Sequence, residues 1–314
     1  MKLLVKGMLC ASLIISGVMA EKVKNVSTDI EIFTSENTEG KITPATIEKA
    51  FKEAGFTISA NRDMNGPFVK QFKASGFDTY NLFTFYKQDT VLELVKKYPN
   101  IGLFAPMSMS IYTKKGEKTI SVSSLTAEAI AKIMQAPSDD KTLHALRTLV
   151  KKTLKDAMPN GSFKKVSYEI QEPKGELVTN FNLDMDADEW EDQLDEFKMG
   201  FEGELAPHGF VIAGHNNLGD DFEESNYEAF DFYEVYSICK LPVIYTIAKT
   251  RPEAGAYAPC SLYLSKKKNE EMMKIGFPSV YNWMSSMAID NKEDMDVLEA
   301  AQSGMKKILS GLTE

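Results

Sequence analysis

The chain has 314 residues, of which 43% are hydrophobic and 26% are charged, with 36 basic against 45 acidic side chains. This length and composition suit two or three globular domains and exclude a disordered chain. The formal charge is −9, and the sequence shows no basic patch. We therefore expect no nucleic-acid binding by a cationic surface. Three cysteines are too few for a disulfide scaffold.

The N-terminal segment, residues 1–20, has the pattern of a secretory signal peptide. Lys2 and Lys6 precede an apolar run over residues 8–15, and Val-Met-Ala at 18–20 forms a small-residue cleavage site. We expect cleavage after position 20 and a periplasmic location, with secretion as the second choice. No later segment has the ~18 consecutive apolar residues of a membrane helix, so we expect no transmembrane segment after cleavage.

The rest of the chain contains two similar halves at a nearly constant offset of 153 to 154 residues. Gly55-Phe56 resembles Gly209-Phe210, and Phe104-Ala105-Pro106 resembles Tyr257-Ala258-Pro259. Other aligned pairs are Phe77 with Phe230, Pro99 with Pro252, Gly102 with Gly255 and Ser108 with Ser261. Matched glycines and prolines at a fixed offset indicate a tandem duplication.

Each half shows the same order of predicted elements, namely a strand, a helix, two further strands, a second helix and a final strand. The first helix begins at Thr43-Pro44, where a threonine cap precedes proline. Aromatic strands are predicted over Tyr80–Tyr86 and Phe230–Ile238. We therefore expect an α+β fold of two tandem copies, each a compact domain with an antiparallel-rich sheet covered by helices on one face.

The predicted domains are residues 21–137 and residues 161–314. Between them, residues 138–160 are predicted to form a linking amphipathic helix capped by Ser138. This helix either closes the first domain or packs between the two domains. A matching terminal helix is predicted over Met295–Ile308.

Short motifs in the second half match the pattern of a known bacterial family. They are a Gly-Phe strand at Gly209-Phe210, a strand end at Cys239–Pro242 and a Pro-Cys pair at Pro259-Cys260. In these motifs the second half resembles the family called domain of unknown function 302 (DUF 302), although the strand end lacks the family's Asn and differs in spacing by one residue. The first half is a degenerate copy, with Tyr86 and Met107 in place of the cysteines. The resemblance implies a compact α+β domain and no settled activity.

Cys239 and Cys260 form the first candidate site, since the third cysteine lies in the signal peptide. Buried inert thiols, a disulfide and a reactive or metal-ligating pair all stay open as interpretations. A parallel crossover would place the two at opposite ends of the sheet, whereas residues 251–259 are long enough to return the chain. No Cys-x-x-Cys motif is present, so a thioredoxin-like site is not expected.

His215 is the third candidate residue, and it stands where the first half has Asn61. Folding could join it to the thiols in a zinc, copper or haem-iron site, so the metal and cofactor content stays open. A solvated or capping histidine is the alternative. Met107 and Met109 could add soft ligands, although methionine more often fills a core.

Other chemistry-bearing patterns are weak. Asp184, Asp186, Asp188 and Asp195 imitate a calcium loop, but Glu189 stands where the turn needs glycine. Acidic residues at the start of a helix explain the same charges. No phosphate-binding loop, dinucleotide fingerprint, serine-hydrolase elbow or zinc-protease motif occurs. The alternating aromatic residues of the 230–238 strand pack in the core or line a ligand groove.

These patterns favour a non-catalytic periplasmic binding or interaction module, whose partner is a small ligand or another periplasmic protein. The alternative is a thiol-dependent redox or sulfur-handling protein, or a metal or haem binder, that uses Cys239 and Cys260. We expect any functional site in the second half, near these cysteines and His215, because the first half has different side chains at the aligned positions.

Overall fold

Two antiparallel sheets, one from each half of the chain, form the scaffold. The computed structural model describes residues 28–314, and the predicted signal peptide lies outside them. The strands are β1 (Ile30–Glu36), β2 (Thr57–Asp63), β3 (Phe77–Tyr86), β4 (Met107–Lys114), β5 (Thr119–Leu125), β6 (Ser162–Lys164), β7 (Val178–Asp184), β8 (Val211–Asn217), β9 (Phe230–Cys239), β10 (Cys260–Lys267) and β11 (Met272–Pro278).

Ten α-helices accompany these strands in the described part of the chain. They are α1 (Pro44–Glu53), α2 (Asn65–Phe72), α3 (Gln88–Val95), α4 (Ala127–Met134), α5 (Lys141–Ala157), α6 (Trp190–Leu205), α7 (Leu218–Glu224), α8 (Leu241–Ala248), α9 (Tyr281–Ser286) and α10 (Lys292–Thr313). Two short 3-10 helices, Ile101–Leu103 and Pro252–Ala256, occupy aligned positions in the two halves, and we call them the interface turns.

The strand order is the same in both sheets. The first sheet runs β2-β3-β4-β5-β1-β6, and the second runs β8-β9-β10-β11-β7. Strands β2 to β5 with β1 therefore correspond, one by one, to β8 to β11 with β7. Every pairing is antiparallel. The predicted α+β fold of two tandem antiparallel units is confirmed.

Helices cover one face of each sheet because their apolar stripes match it. Thr43 caps α1 in a capping box with Thr46, which fixes the start of the helix. From that start the buried Phe51 reaches the sheet, where its ring contacts Phe83 and Phe85 at centroid distances of 5.3 and 4.8 Å. Helices α5 and α10 pack beside α1 and α6, respectively.

The linking helix differs in detail from its prediction. It is capped by Asp140 and not by Ser138, so that part of the prediction was wrong. The Asp140 carboxylate accepts hydrogen bonds from the backbone N–H groups of Thr142 and Leu143, at 2.9 and 3.0 Å. The helix packs into the core of the first sheet. Strand β6, just after the predicted linking segment, also pairs with β1 in that sheet.

Four helices were not predicted, namely α2, α4, α7 and α9, and two of them bear on the site. Helix α2 follows β2, and its counterpart α7 follows β8, where the prediction passed directly from strand to strand. Both have at most eight residues, and α2 lacks a side-chain cap. Two turns of helix carry too few apolar repeats to stand out in a sequence. These helices matter below because α2 forms one wall of the candidate site.

The uncovered faces of the two sheets meet each other through reciprocal hydrogen bonds. The hydroxyl of Tyr80 donates to the carbonyl of Pro252 at 3.0 Å, and the aligned Tyr233 donates to the carbonyl of the aligned Pro99 at 2.7 Å. Ser108 donates to the carbonyl of Pro259, and Ser261 donates to that of Pro106. Each contact thus occurs twice, once in each direction, and the two copies pack with approximate two-fold symmetry.

Glycine lets each interface turn enter the opposite copy. A Cβ atom on Gly102 would lie 2.5 Å from the Cβ of Tyr263, and one on Gly255 would lie 2.4 Å from the Cβ of Ser110. These distances are far below the contact distance of two carbon atoms. Tyr263 and Ser110 are both buried, and a Cβ atom is fixed by its own backbone, so neither neighbour can move aside easily. The two glycines that match between the halves are therefore required because the interface turns lie so close to the opposite copy.

We predict that Gly102→Ala and Gly255→Ala each lower the free energy of unfolding by about 1–3 kcal/mol or more, because the added methyl overpacks the interface between the copies. Urea titration followed by circular dichroism measures the change. Gly76→Ala is the matched control, since a Cβ there meets nothing within 4 Å. Interface variants as stable as the control would contradict the assignment.

Candidate functional site

The two cysteines lie at the same end of the second sheet. Cys239 ends β9 and Cys260 begins β10, and these strands are antiparallel neighbours in which Cys260 pairs with Ile238. Of the two arrangements that the sequence left open, the structure therefore shows the one in which the chain after α8 returns to the same end of the sheet. Cys239 is buried, Cys260 is half-buried, and both are free thiols.

Burial dominates the chemistry of both thiols. It raises the pKa of Cys239 to about 12, with a further contribution from the neighbouring Cys260. Burial likewise raises the pKa of Cys260 to about 12, although the Trp283 indole N–H beside the sulfur acts in the opposite direction. The Cys260 thiol donates to the carbonyl of Tyr257 at 3.4 Å. Near neutral pH both groups are protonated and poorly nucleophilic.

His215 is not part of a site with the thiols. It pairs with Tyr236 on β9, and its Nε2 lies 2.7 Å from a carboxylate oxygen of Glu234. Cys260 lies on β10, and its side chain leaves the same face of the sheet as that of His215 on β8. Strand β9 separates the two, and Cys260 pairs with Ile238, two residues beyond the partner of His215. Cys239 directly follows Ile238 on β9. Because successive side chains of a strand alternate between faces, the Cys239 side chain leaves the opposite face of the sheet. The suggested joint site of His215 and the cysteines is therefore not formed.

The histidine belongs to a polar cluster with a counterpart in the first half. Burial would raise the pKa of Glu234, but hydrogen bonds from His215 and Lys198 lower it. In the first half, Asn61 accepts from Asn81, which stands where the second half has Glu234. Both copies thus fill this place with a hydrogen-bonded pair, which indicates a structural role for His215.

The remaining candidates also have structural explanations. Within residues 28–314, no group of three or more His, Cys, Asp or Glu side chains is arranged to hold a metal ion, the calcium-like acids included. Met109 is buried in the core of the first sheet. In the aromatic strand β9, Tyr233 and Tyr236 are fully buried, which favours core packing over a ligand groove.

A large groove runs along the boundary between the two copies, and Cys239 lies in its floor. Its volume is about 680 Å³. One wall comes from β2 and α2 of the first copy, and the other from β8 and the start of α8 in the second. The main lining residues are Ala60, Arg62, Met64, Pro67, Leu82, Thr84, Phe210, Val211, Ile212, Ala213, Cys239, Lys240, Leu241 and Pro242.

Apolar side chains dominate this groove and are unusually open to solvent. Val211 and Ile212 are 55% and 41% exposed, and both line the groove. Large aliphatic residues that stay exposed in a concave surface are typical of a binding site. Thr84 adds a buried hydroxyl that has no hydrogen-bond partner in the described chain.

Behind the groove lies a smaller apolar cavity of about 60 Å³. Phe210, Cys239 and Lys240 line both spaces, so they form the partition between them. Cys260 and Trp283 line the inner cavity. The Trp283 indole N–H is buried and makes no hydrogen bond of normal geometry with the described residues.

The equivalent place on the other side of the approximate two-fold axis holds a larger side chain. There Tyr86 stands where the second copy has Cys239, at the same position in the strand register. Its hydroxyl donates to Asp221 of α7 at 2.8 Å, which ties the first copy to the second. Burial raises the pKa of Asp221, and the hydrogen bond from Tyr86 partly offsets that effect. A tyrosine therefore fills the space that a cysteine leaves open.

Comparison with known families matches Domain of unknown function DUF302 twice, at residues 33–159 and 188–312. The chain belongs to the DUF302 family. One similar solved structure is the crystal structure of an uncharacterized conserved DUF302 protein from Bacillus stearothermophilus. It is 13% identical and covers 45% of this chain and 100% of that chain, with a TM-score of 0.36. No curated protein matches.

Several residues that line the groove were not predicted from the sequence. Arg62, Val211 and Ile212 carried no motif, and the wall formed by α2 depended on an unpredicted helix. One available signal was the aligned pair Tyr86 and Cys239. A large side chain in one repeat and a small one at the same position of the other imply that the two repeats enclose different volumes there. Among residues 28–314, no helix has the length and apolar character needed to cross a bilayer.

We predict that both thiols of the DUF302 protein react with Ellman's reagent at pH 8 at least about a hundredfold more slowly in the folded than in the unfolded state. A pKa of about 12 leaves very little thiolate at that pH. Absorbance after mixing, with and without urea, measures the rates. One fast thiol in the folded protein would contradict this and support the thiol-dependent alternative.

We also predict that the thiols make the protein sensitive to alkali. Their folded pKa lies above the ordinary value of 9.0, so the folded state holds the protons more tightly, and stability falls as pH rises from about 9 towards 12. Each thiol contributes up to about 1.4 kcal/mol per pH unit in that window. Urea titrations of the wild type and of Cys239→Ala/Cys260→Ala should diverge above pH 9, whereas parallel curves would contradict the prediction.

Proposed function

We propose that this DUF302 protein is a non-catalytic binding module that holds a small, largely apolar molecule in the groove between its two copies. The volume of about 680 Å³ suits a small molecule of drug or metabolite size. Its walls are mainly aliphatic and aromatic, and a few polar groups at the floor and rim can orient a ligand.

The observation that carries this proposal is the difference between the two ends of the copy interface. Tyr86 closes one end and bonds to Asp221, whereas Cys239 leaves the other end open. Packing alone favours filled space, since an unfilled volume loses contacts on every side. A groove that stays open at only one of two equivalent places is accounted for by a ligand.

Binding suits the groove better than catalysis does. Its lining contains one carboxylate, that of Asp63, which already accepts the backbone N–H groups of Asn65 and Gly66 at the start of α2. Its thiol, Cys239, has a raised pKa and is protonated near neutral pH. The groove thus offers neither a poised acid and base nor an activated nucleophile.

We further propose that the protein acts in the periplasm. The support is the sequence pattern of residues 1–20, with basic residues, an apolar run and a small-residue cleavage site. A periplasmic binding module meets its ligand outside the cytoplasm. Immunoblotting of cell fractions, with N-terminal sequencing of the mature chain, tests this location. An uncleaved chain in the cytoplasm would overturn it.

The binding function predicts that the neutral fluorophore N-phenyl-1-naphthylamine binds the wild-type protein and that Cys239→Tyr weakens binding by about tenfold or more. Tyrosine at this position reproduces the closed end of the interface. Fluorescence titration measures the affinity. Val211→Asp changes a half-exposed side chain, leaves the core intact, and should weaken binding severalfold by adding a charge to the groove wall.

Cys260→Ala is the matched control, because Cys260 lines the inner cavity and not the groove. Its affinity for the fluorophore should stay within about twofold of the wild type. Equal binding by the wild type, Cys239→Tyr and Val211→Asp would contradict the proposed function.

A further inference from the structure

Lys240 is a half-buried cation without a counter-charge. It lines both the groove and the inner cavity, and its ammonium group lies 4.6 Å from the ring centroid of Phe210. It forms no ion pair with any carboxylate of residues 28–314. Burial lowers its pKa, which reflects the cost of holding this charge away from water.

The aligned lysine of the first copy does have a counter-charge. Lys87 occupies the equivalent position before α3, and its ammonium group lies 3.1 Å from the carboxylate of Asp89. In the second copy Pro242 stands at the position of Asp89. The cation is therefore present in both copies, and only the copy with the open groove has no acid two residues later.

Other charges around the groove have the same sign. Arg62 lies on the opposite wall and forms no ion pair within the described chain. Helix α8 begins at Leu241, directly after Lys240, so the positive end of its dipole lies in the same region. Asp63, the carboxylate of the groove lining, is engaged at α2. The groove is thus locally cationic in a protein with a formal charge of −9.

We infer that the molecule held in the groove carries one negatively charged group, a carboxylate or a sulfonate, placed against Lys240. This inference rests on the proposed binding function and adds the chemical class of the ligand. The charged group takes the place that Asp89 fills in the first copy. Its apolar body lies along Val211 and Ile212, so the ligand is a small amphipathic anion.

The test compares two fluorophores that share one skeleton. 8-Anilinonaphthalene-1-sulfonate carries a sulfonate, and N-phenyl-1-naphthylamine lacks it. We expect the wild type to bind the sulfonate about tenfold more tightly than the neutral compound, the size expected of a hydrogen bond to a charged partner. Lys240→Gln should abolish this preference and leave the neutral compound within about twofold of its wild-type affinity.

Pro242→Asp is the second variant, because it restores the acid that the first copy has at this position. It should remove the preference for the sulfonate in the same way, with the lysine still present. Lys87→Gln is the matched control on the closed side and should leave both affinities unchanged. The three variants change side chains that are not fully buried, so folding is checked by circular dichroism.

The outcomes separate the inference from the proposed function. Tight sulfonate binding that falls in Lys240→Gln and Pro242→Asp supports the inference. Equal affinities for the two compounds, or a sulfonate preference that survives in both variants, overturns the inference and leaves the binding function standing. If neither of the two compounds binds the wild type, both the inference and the proposed function are overturned.

Discussion

Two buried tyrosine hydroxyls set the geometry on which the rest of the molecule depends. Tyr80 and Tyr233 are completely buried, and a buried hydroxyl without a partner is costly. Each finds its acceptor only across the copy boundary, at Pro252 and Pro99, respectively. Separation of the copies would break both bonds and expose the apolar side chains around them to water. The two repeats therefore share one apolar core, which contains side chains from both.

The interlocked copies also determine where the groove lies. The interface turns anchor the centre of the boundary, and β2 and β8, the edge strands of the two sheets, come together at its side. Ser59 on β2 donates to Asn216 on β8 at 2.9 Å, which helps to hold these edges in place. The groove walls are thus held by rigid elements from both copies, and such preorganisation lowers the entropic cost of binding.

The repeat could be predicted from sequence, whereas the site could not. Matched residues at a fixed offset, such as Gly102 with Gly255, are local information and led directly to the equivalence of the two sheets. The position of His215 depends on a β-bulge between Ile212 and Gly214, which shifts the register and decides which side chains it meets. The groove depends on how two whole sheets pack, and no short motif encodes that. The unpaired Lys240 was visible in principle, because its aligned partner Lys87 has an acid two residues later and Lys240 has a proline.

The approximate symmetry of the interface has a consequence for stoichiometry. Two identical chains related by a two-fold axis must be alike at the two positions that the axis interchanges, so any pocket away from the axis occurs twice. A covalently fused pair is free of this restriction, and here Tyr86 plugs one end while the other is lined by Cys239. The two equivalent positions of the fused pair can therefore differ in their side chains. Under the proposed binding function such a chain is monovalent, and we expect its occupancy to follow a simple hyperbolic isotherm with no cooperativity between sites.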